Sequence, residues 1–235
     1  MMTADESTSA RRSSGRRRPG PGRPPRSTKV DVLEATLRVI DEQGLAALSM
    51  KRVADELGIG VMTIYGYVNT KEDLVDEVTH HALSALTAEL RDGPPLERIT
   101  DAIRVLYQTL RDHAGVLEVL LNAPAPGPAL DPLREELLTI LDEIGVTGMS
   151  TMDALSILYS YAVGFAVTGR SRDRESPIKE RRRMESLSRQ RFPHLSSAPG
   201  DYASRVSATA FEKGLRGLIA SLFRTDDNVP RTVEA

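Results

Sequence analysis

From Lys29 to the C-terminal region, apolar residues recur at the spacing of an α-helix, and this periodicity limits the possible folds more than any other feature. In the first such segment Val30, Leu33, Leu37 and Ile40 follow one another at intervals of three, four and three residues. Similar segments follow along the chain, whereas no alternating run rich in Val, Ile and Thr predicts a strand. The sequence therefore predicts an all-α protein.

Near the N-terminus, two short predicted helices are enclosed by two longer ones. The second helix, predicted over 49–57 and capped by its first serine, ends at Gly58, and the third is predicted over 61–68. The residues at 70–73 are typical of a capping box that opens a long fourth helix. Two short helices joined by a tight glycine turn predict a helix-turn-helix, although an ordinary helical hairpin shares this pattern.

Further helices are predicted beyond Gly93, of which the eighth and the last are the most informative. The eighth contains an uncharged run over 154–168, which is 15 residues long, whereas a membrane span needs about 20. The run includes Ser156 and Tyr159, so a helix buried between other helices is predicted rather than a membrane span. The last helix is predicted over 202–223. The chain has no cysteine, which excludes disulfides and thiolate-held metals.

The charge of the chain is distributed unevenly. The total is only −2, which by itself argues weakly against a nucleic-acid partner. Residues 1–28, however, carry seven arginines and a net charge of +5, which leaves −7 on the remainder. This segment is rich in Gly, Pro and Ser and is predicted to be a disordered arm. No apolar stretch follows its arginines, so it is not a secretory signal and a cytoplasmic location is expected.

The segment LSMKRVADELGIGVMTIYGYVNTKEDLVDEV at 48–78 resembles the DNA-binding segment of the tetracycline-repressor (TetR) family of bacterial transcriptional regulators. The signature consists of Leu57-Gly58-Ile59, Thr63-Ile64-Tyr65, Tyr67-Val68-Asn69-Thr70-Lys71 and Leu74. More weakly, DHAGVLEVLL, SYAVGFAV and AFEKGLRGLIASLF resemble the ligand-binding and dimerisation domain of the branch closest to tetracycline repressors.

The resemblance implies four regions. A disordered basic arm covers 1–27, and a three-helix DNA-binding head covers 28–78, with its helix-turn-helix at about 49–68. A larger helical domain for effector binding and dimerisation covers 79–224, and a tail covers 225–235.

The resemblance also implies which residues contact DNA. Thr63 would face a base edge, and Lys71 would pair with a phosphate beside the start of the fourth helix. Gly66 departs from the family, whose members often carry a base-reading side chain there, so direct readout is expected to be sparse. The remaining head candidates are Val61 and Met62 for a thymine methyl, Tyr65 and Tyr67 for phosphates, Lys51 for a base or the backbone, and Arg52 as its substitute. The two tyrosines could instead pack, and Arg52 could be a solvated surface charge.

The arm offers a second route to DNA. Its segment GRPPR at 22–26 resembles the short Gly-Arg-Pro sequences that lie in A/T-rich minor grooves. Arg23 and Arg26 would reach the groove beside the recognition helix. The alternative is a tail whose charges act without specificity.

In this family the last two long helices form a dimeric four-helix bundle, which here would use the eighth and the last helix. The last helix carries small residues at mostly helical spacing, although packing within one subunit would also explain them: Ala203, Ser207, Ala210, Gly214 and Gly217. Effector-pocket candidates, each of which could equally belong to the core, are Leu86, Tyr107, Leu110, Val119, Asn122, Tyr159 and Phe165. Val119 stands where the type member has a magnesium-holding histidine, so an uncharged or polycyclic organic effector is expected rather than a metal-bound tetracycline.

The resulting prediction is a homodimeric repressor that binds a palindromic double-stranded operator and is released by a small organic ligand. No enzyme is expected, because the sequence has no phosphate-binding loop, no Gly-x-Ser-x-Gly elbow and no helical histidine pair at metal-ligand spacing. No cofactor and no metal are expected either. One alternative is a constitutive DNA-binding protein dominated by its arm, and another is a small-molecule-binding protein with a vestigial head.

Overall fold

The computed structural model describes residues 27–90, 92–122, 128–146, 148–173, 177–197 and 206–223. In this part of the chain every long element is an α-helix, and no residue lies in a β-strand. The helices are α1 (Lys29–Gln43), α2 (Met50–Leu57), α3 (Val61–Ile64), α4 (Lys71–Glu89), α5 (Pro95–Asp112), α6 (Ala114–Asn122), α7 (Asp131–Ile144), α8 (Thr151–Asp173), α9 (Pro177–Glu185), α10 (Pro193–Ser197) and α11 (Ala208–Leu222). The predicted all-α fold is confirmed.

Side-chain caps fix the starts of several helices where the sequence predicts them. Ser49 accepts a hydrogen bond of 3.2 Å from a backbone N–H in the first turn of α2. At α4, the hydroxyl of Thr70 accepts from the backbone N–H of Asp73 at 2.9 Å, and the Asp73 carboxylate accepts in return from the Thr70 N–H at 3.1 Å. Ser150 caps α8 in the same way, at 3.1 Å.

The third helix is shorter than predicted. It ends at Ile64 instead of continuing to residue 68. The backbone N–H of Gly66 donates to the carbonyl of Thr63 at 3.2 Å, and that of Tyr67 donates to Ile64 at 2.9 Å. These bonds span three residues rather than four, so the chain tightens into a 3₁₀-like turn, and glycine has a low helix propensity at this point.

The last helix also begins later than predicted. It begins directly after Ser207, whose hydroxyl accepts from the Ala210 backbone N–H at 3.2 Å and caps α11. The predicted start at residue 202, the candidate Ala203, the basic arm with Arg23 and Arg26, and the tail at 225–235 lie outside the described residues.

Two hydrophobic clusters organise the chain. One lies within the head, where α1 to α4 bury side chains that include Val32, Val39, Ile64 and Leu74. The other lies within the larger domain, where α4 to α8 and α11 bury side chains that include Leu90, Ile99, Leu110, Ile140, Leu158 and Phe211. The uncharged run of α8 belongs to this second cluster, with Ala154, Leu158 and Ala162 fully buried. Within the described ranges, every helix is too short or too polar to span a bilayer.

Two helices belong to both clusters. Helix α4 buries Leu74 in the head cluster and Leu86 in the cluster of the larger domain. Helix α6 does the same over a shorter distance, because it buries Val119 among head residues and Leu117 in the larger domain. The head is therefore packed directly onto the larger domain through α4 and α6.

Candidate DNA-binding interface and effector cavity

A tight turn joins α2 to α3. Gly58 has φ 65° and ψ 33°, a left-handed conformation that favours glycine, and its backbone N–H donates to the carbonyl of Asp55 at 3.2 Å. Val53 and Ala54 on α2 are fully buried, so α3 can lie close to α2. The turn therefore has the geometry expected of a helix-turn-helix.

Helix α3 and the residues that follow it expose one face to solvent. Met62 is 80% exposed, Tyr65 is 46% exposed, and Thr63 between them is also exposed, whereas Ile64 is fully buried. Buried Ile64 holds the segment against the head core and fixes the orientation of its outer residues. Val61 is half-buried at the start of α3 and contributes to the packing as well as to this face.

Gly66 has a packing role that its sequence position did not suggest. A Cβ at this position would lie 3.2 Å from the carbonyl oxygen of Thr63, which is closer than ordinary van der Waals contact. A larger residue would press on the backbone of the candidate recognition helix. The glycine removes a potential base-reading side chain and at the same time permits the tight turn.

The hydroxyl of Tyr67 donates a hydrogen bond to the backbone carbonyl of Ser27 at 2.5 Å. Ser27 directly precedes α1 and directly follows Arg26 in the sequence. This bond therefore attaches the beginning of the described chain to the turn that follows α3. It also gives the Tyr67 hydroxyl a partner within the protein.

The basic side chains of the head fall into two groups. Lys29 pairs with Glu77 at 2.8 Å and Arg38 pairs with Glu56 at 3.6 Å. Among the described residues, no ion pair involves the other three, which are Lys51 and Arg52 on exposed positions of α2 and half-buried Lys71 at the start of α4. Their charges lie on the elements that adjoin α3 and are available to phosphates.

A cavity of about 370 Å³ lies in the larger domain, between α4, α5, α6, α7 and α8. Its size falls within the range of small-molecule sites. Most of the wall is apolar: Leu83, Leu86, Ile103, Leu106, Leu120, Leu130, Leu133, Leu137, Met152 and Leu155. The polar lining residues are Arg134, Ser156, Tyr159 and Ser160.

Two of the seven predicted effector residues, Leu86 and Tyr159, line this cavity. Two others belong to an aromatic cluster: the Tyr107 ring stacks on that of Phe211 at 3.9 Å, and Phe165 packs edge-on to both. Leu110 is fully buried in the core, Val119 packs against the head, and Asn122 donates from its side chain to the Glu118 carbonyl at 2.8 Å.

Sequence reasoning missed Arg134, Ser156 and Ser160, although the helical register held a signal for each. Arg134 precedes Leu137 by three residues, which places both on one face of α7, and Leu130 lies in the turn directly before this helix. Met152, Ser156 and Ser160 are likewise separated by four residues along α8. In both cases the polar residues share a face with apolar residues that line the cavity.

Polar contacts hold α6 against α1 at the junction of head and larger domain. The Asp41 carboxylate accepts from the Gly115 backbone N–H at 2.8 Å and lies 2.7 Å from Nδ1 of His113. A Cβ on Gly115 would lie 2.7 Å from the Cβ of Ile40, so only glycine allows this approach. In addition, the Leu45 N–H donates to the Glu118 carboxylate at 3.0 Å. These contacts join residues more than 70 positions apart, and no local sequence pattern signals them.

The outer face of α8, together with α11, is exposed and partly apolar. Ile157 on this helix and Met149 just before it are each 37% exposed. A Cβ on Gly164 or Gly217 would meet no atom within 4 Å, so both glycines border open space. Gly214 differs, because a side chain there would collide with the Tyr161 ring of the same chain.

Comparison with known proteins agrees with this architecture. The family described as "Bacterial regulatory proteins, tetR family" matches residues 32–78, and "Tetracyclin repressor-like, C-terminal domain" matches residues 89–224. The chain is 34% identical over 152 residues to the HTH-type transcriptional repressor DrrR1 of Streptomyces coeruleorubidus, covering 64% of this chain and 56% of DrrR1. The match thus spans just over half the length of that relative.

Solved structures show the same fold. Apo ActR from Streptomyces coelicolor has a TM-score of 0.69 at 25% identity, and the similarity covers 84% of this chain and 95% of ActR. ActR in complex with actinorhodin gives a TM-score of 0.68 at 25% identity, covering 83% and 96%. The C-terminal family alone matches more than half of the present chain. The chain therefore belongs to the TetR family of bacterial helix-turn-helix transcriptional regulators, which are DNA-binding transcription factors and not enzymes.

Proposed function

We propose that this chain is a homodimeric repressor that binds a palindromic operator through α3 and leaves it when a small organic molecule enters the cavity. One observation carries the proposal: α4 and α6 each supply side chains to both the cavity and the head core. Leu86 and Leu120 line the cavity, whereas Leu74 and Val119 on the same helices pack within the head. A ligand that displaces either helix changes the position of α3.

The DNA contacts follow from the exposed face of the head. Thr63 and Met62 would approach base edges in the major groove, and Val61 would add apolar contact. Lys51, Arg52, Tyr65 and Lys71 would contact phosphates or the groove edge around them. Tyr67 would hold the start of the described chain beside α3. Arg23 and Arg26, which precede it in the sequence, would contact the minor groove.

The dimer would form through the outer face of α8 and through α11. Exposed Met149 and Ile157 supply apolar area, and Gly164 and Gly217 leave room for a second pair of helices. A twofold dimer also matches a palindromic site, because two recognition helices then enter successive major grooves.

Ile157→Glu should yield a monomer in sedimentation velocity runs, whereas the control Ile178→Glu, at an exposed residue of α9, should remain dimeric.

The relatives support regulation by a ligand. DrrR1 is named a transcriptional repressor, and ActR has been crystallised with actinorhodin. The present cavity lies among the helices of the C-terminal domain that also contact the head. We infer that occupation of the cavity lowers the affinity for DNA, with a coupling free energy of about 1–3 kcal/mol, equivalent to a 5- to 150-fold change.

The experiment that tests this function begins with selection of DNA from a random library by the purified full chain, followed by footprinting of the selected site. The expected result is a palindromic footprint with two half-sites. Screening organic compounds for release of the footprint then tests the ligand response. A footprint that no compound alters would favour the alternative of a constitutive DNA-binding protein, and failure to select any sequence would contradict the proposal entirely.

A further inference from the structure

Among the described residues, the polar lining of the cavity is confined to α7 and α8 and carries a single formal charge, that of Arg134. We propose that the cavity takes an organic molecule with an apolar body and one acidic group, and that the acidic group faces Arg134. This inference rests on the proposed function, since it specifies the effector of the same cavity. Of the uncharged or polycyclic organic effector that the sequence suggested, it keeps the polycyclic body and replaces the uncharged alternative by one negative charge.

The apolar body of the proposed ligand would contact the ten aliphatic and thioether side chains of the cavity wall. These side chains come from five helices and the 3₁₀ turn before α7. An apolar surface of this extent favours a ligand body that is removed from water on binding. The cavity volume of about 370 Å³ accommodates a molecule of two to three fused rings rather than a single small anion.

The position of Arg134 is not explained by the stability of its own helix. Arg134 lies in the first turn of α7, which begins at Asp131, and a cation there opposes the helix dipole. Its ion pair with Asp131 has an Nη1–Oδ1 distance of 2.8 Å, but the Asp131 side chain is 62% exposed, and exposed pairs add little stability. A guanidinium stays charged at all physiological pH values, so it presents a permanent positive charge to the cavity.

The neighbouring groups on α8 complete a site for an anion. Burial raises the pKa of Tyr159, and the nearby charge of Arg134 opposes this only in part, so Tyr159 keeps its hydroxyl proton at neutral pH. A neutral hydroxyl can donate a hydrogen bond to a carboxylate, as can the hydroxyl of Ser160. Among the described residues that line the cavity there is no carboxylate, so an amine would find no counter-ion there.

The test compares two molecules of nearly equal shape, anthracene-2-carboxylate and anthracene-2-carboxamide, by calorimetric titration of the full chain at neutral pH. The carboxylate should bind about tenfold more tightly, which is the usual gain from a hydrogen bond to a charged group. Arg134→Met should abolish this ratio while leaving the carboxamide affinity within about twofold, because it keeps the apolar stem. Arg134→Lys should retain part of the preference for the carboxylate, since lysine keeps the positive charge but lacks the planar guanidinium with its paired N–H donors.

The matched control is Arg181→Met, which removes an arginine from an exposed ion pair with Glu185 on α9, outside the cavity. It should change neither affinity. The inference is overturned if neither compound binds the wild-type chain, if both bind equally well, or if Arg134→Met weakens both to the same extent. Thermal unfolding of each variant shows that it is folded.

The same preparations are tested for binding to the selected DNA, which separates this inference from the proposed function. Loss of the charge preference in a chain that still binds its DNA would refute the acidic effector alone. Charge-selective binding of the carboxylate by a chain that selects no DNA sequence would refute the repressor and leave the anion site in place.

Discussion

Thr63 is the residue at which sequence readout by the head is best tested, because its side chain is exposed beside a fully buried Ile64 that fixes its direction. If its hydroxyl and methyl contact one base pair, Thr63→Ala should cost about 1–3 kcal/mol at that operator position and relax specificity there. The measurement is a set of affinities for operator variants, each with one altered base pair per half-site.

The matched control for this prediction is Lys51→Met, at an exposed position of α2. Removal of a phosphate contact should weaken binding to all operator variants about equally and reduce the salt dependence of affinity. A Thr63→Ala chain that loses the same affinity for every variant, as the Lys51→Met chain does, would contradict the assigned base contact.

At the residue scale, the sequence predicted what depends on a few neighbouring residues. The caps at Ser49 and Thr70 were predicted correctly, because each involves a hydrogen bond across three residues. The environment of Val119 was not predicted, because its contact with the head depends on how α6 meets α1. The same holds for Gly214, whose small size is explained by the Tyr161 ring rather than by a second subunit.

At the scale of the elements, α6 packs closely on α1 at Gly115. Gly115→Ala would place a methyl group 2.7 Å from the Ile40 Cβ, which forces α1 and α6 apart. We expect a loss of stability of about 1–3 kcal/mol, the usual cost of overpacking. The unfolding temperature should therefore fall by several degrees, measured by differential scanning calorimetry.

Gly169→Ala in α8 is the control for this substitution, because a Cβ there meets only Val206 at an ordinary 3.7 Å. It should leave the unfolding temperature unchanged or raise it slightly, since alanine favours a helix over glycine. If Gly115→Ala were as harmless as Gly169→Ala, the direct packing of α6 on α1 would not hold in solution.

Helix α5 is joined to α11 by a bidentate ion pair. Nε of Arg104 lies 2.6 Å from Oε1 of Glu212, and Nη2 lies 3.1 Å from Oε2. Hydrogen bonding from Arg104 lowers the pKa of the Glu212 carboxyl below its ordinary value of 4.5. A lowered folded pKa stabilises the folded chain above the ordinary value, and this contribution disappears as the pH falls through the lowered value.

Glu212→Gln should therefore unfold at a lower temperature than the wild type at pH 7, and the difference should shrink below pH 4.5 as the wild-type carboxyl is protonated. Thermal unfolding followed by circular dichroism between pH 3 and pH 7 measures the difference. Glu135→Gln, at an exposed glutamate of α7, should follow the wild-type curve. A Glu212→Gln difference that stays constant with pH would exclude this ion pair as its source.

The helices themselves were largely predictable, because apolar periodicity specifies a buried face without reference to the partner helix. The helix boundaries were less predictable where hydrogen bonds across three residues replace the helical bonds across four, as in the turn after Ile64. The cavity was predicted only in part: Leu86 and Tyr159 line it, but the lining depends on how five helices meet. That arrangement is set by tertiary packing and not by any one segment.

At the scale of the whole molecule, the near-zero net charge conceals a dipolar distribution. Residues 1–28 carry +5 and the rest of the chain carries −7, so a DNA phosphate attracts one end and repels the other. The bond from Tyr67 to the Ser27 carbonyl holds the beginning of the described chain beside the turn that follows α3. Arg26 is the neighbour of Ser27 in the sequence, so the basic end and α3 would face the same DNA.

This placement predicts the effect of deleting residues 1–25, which removes six of the seven arginines of the arm. The slope of log K against log salt should become shallower by about 0.9 for each phosphate interaction that the deletion removes, because each such interaction releases one condensed counterion. Deletion of residues 225–235, which carry net negative charge, should leave the slope unchanged and serves as the control. Fluorescence anisotropy on the selected operator between 50 and 200 mM salt, roughly the range over which such interactions are resolved, measures both slopes. An arm that does not touch DNA would give equal slopes for the truncated and intact chains, and α3 and its neighbours would then have to supply all of the binding.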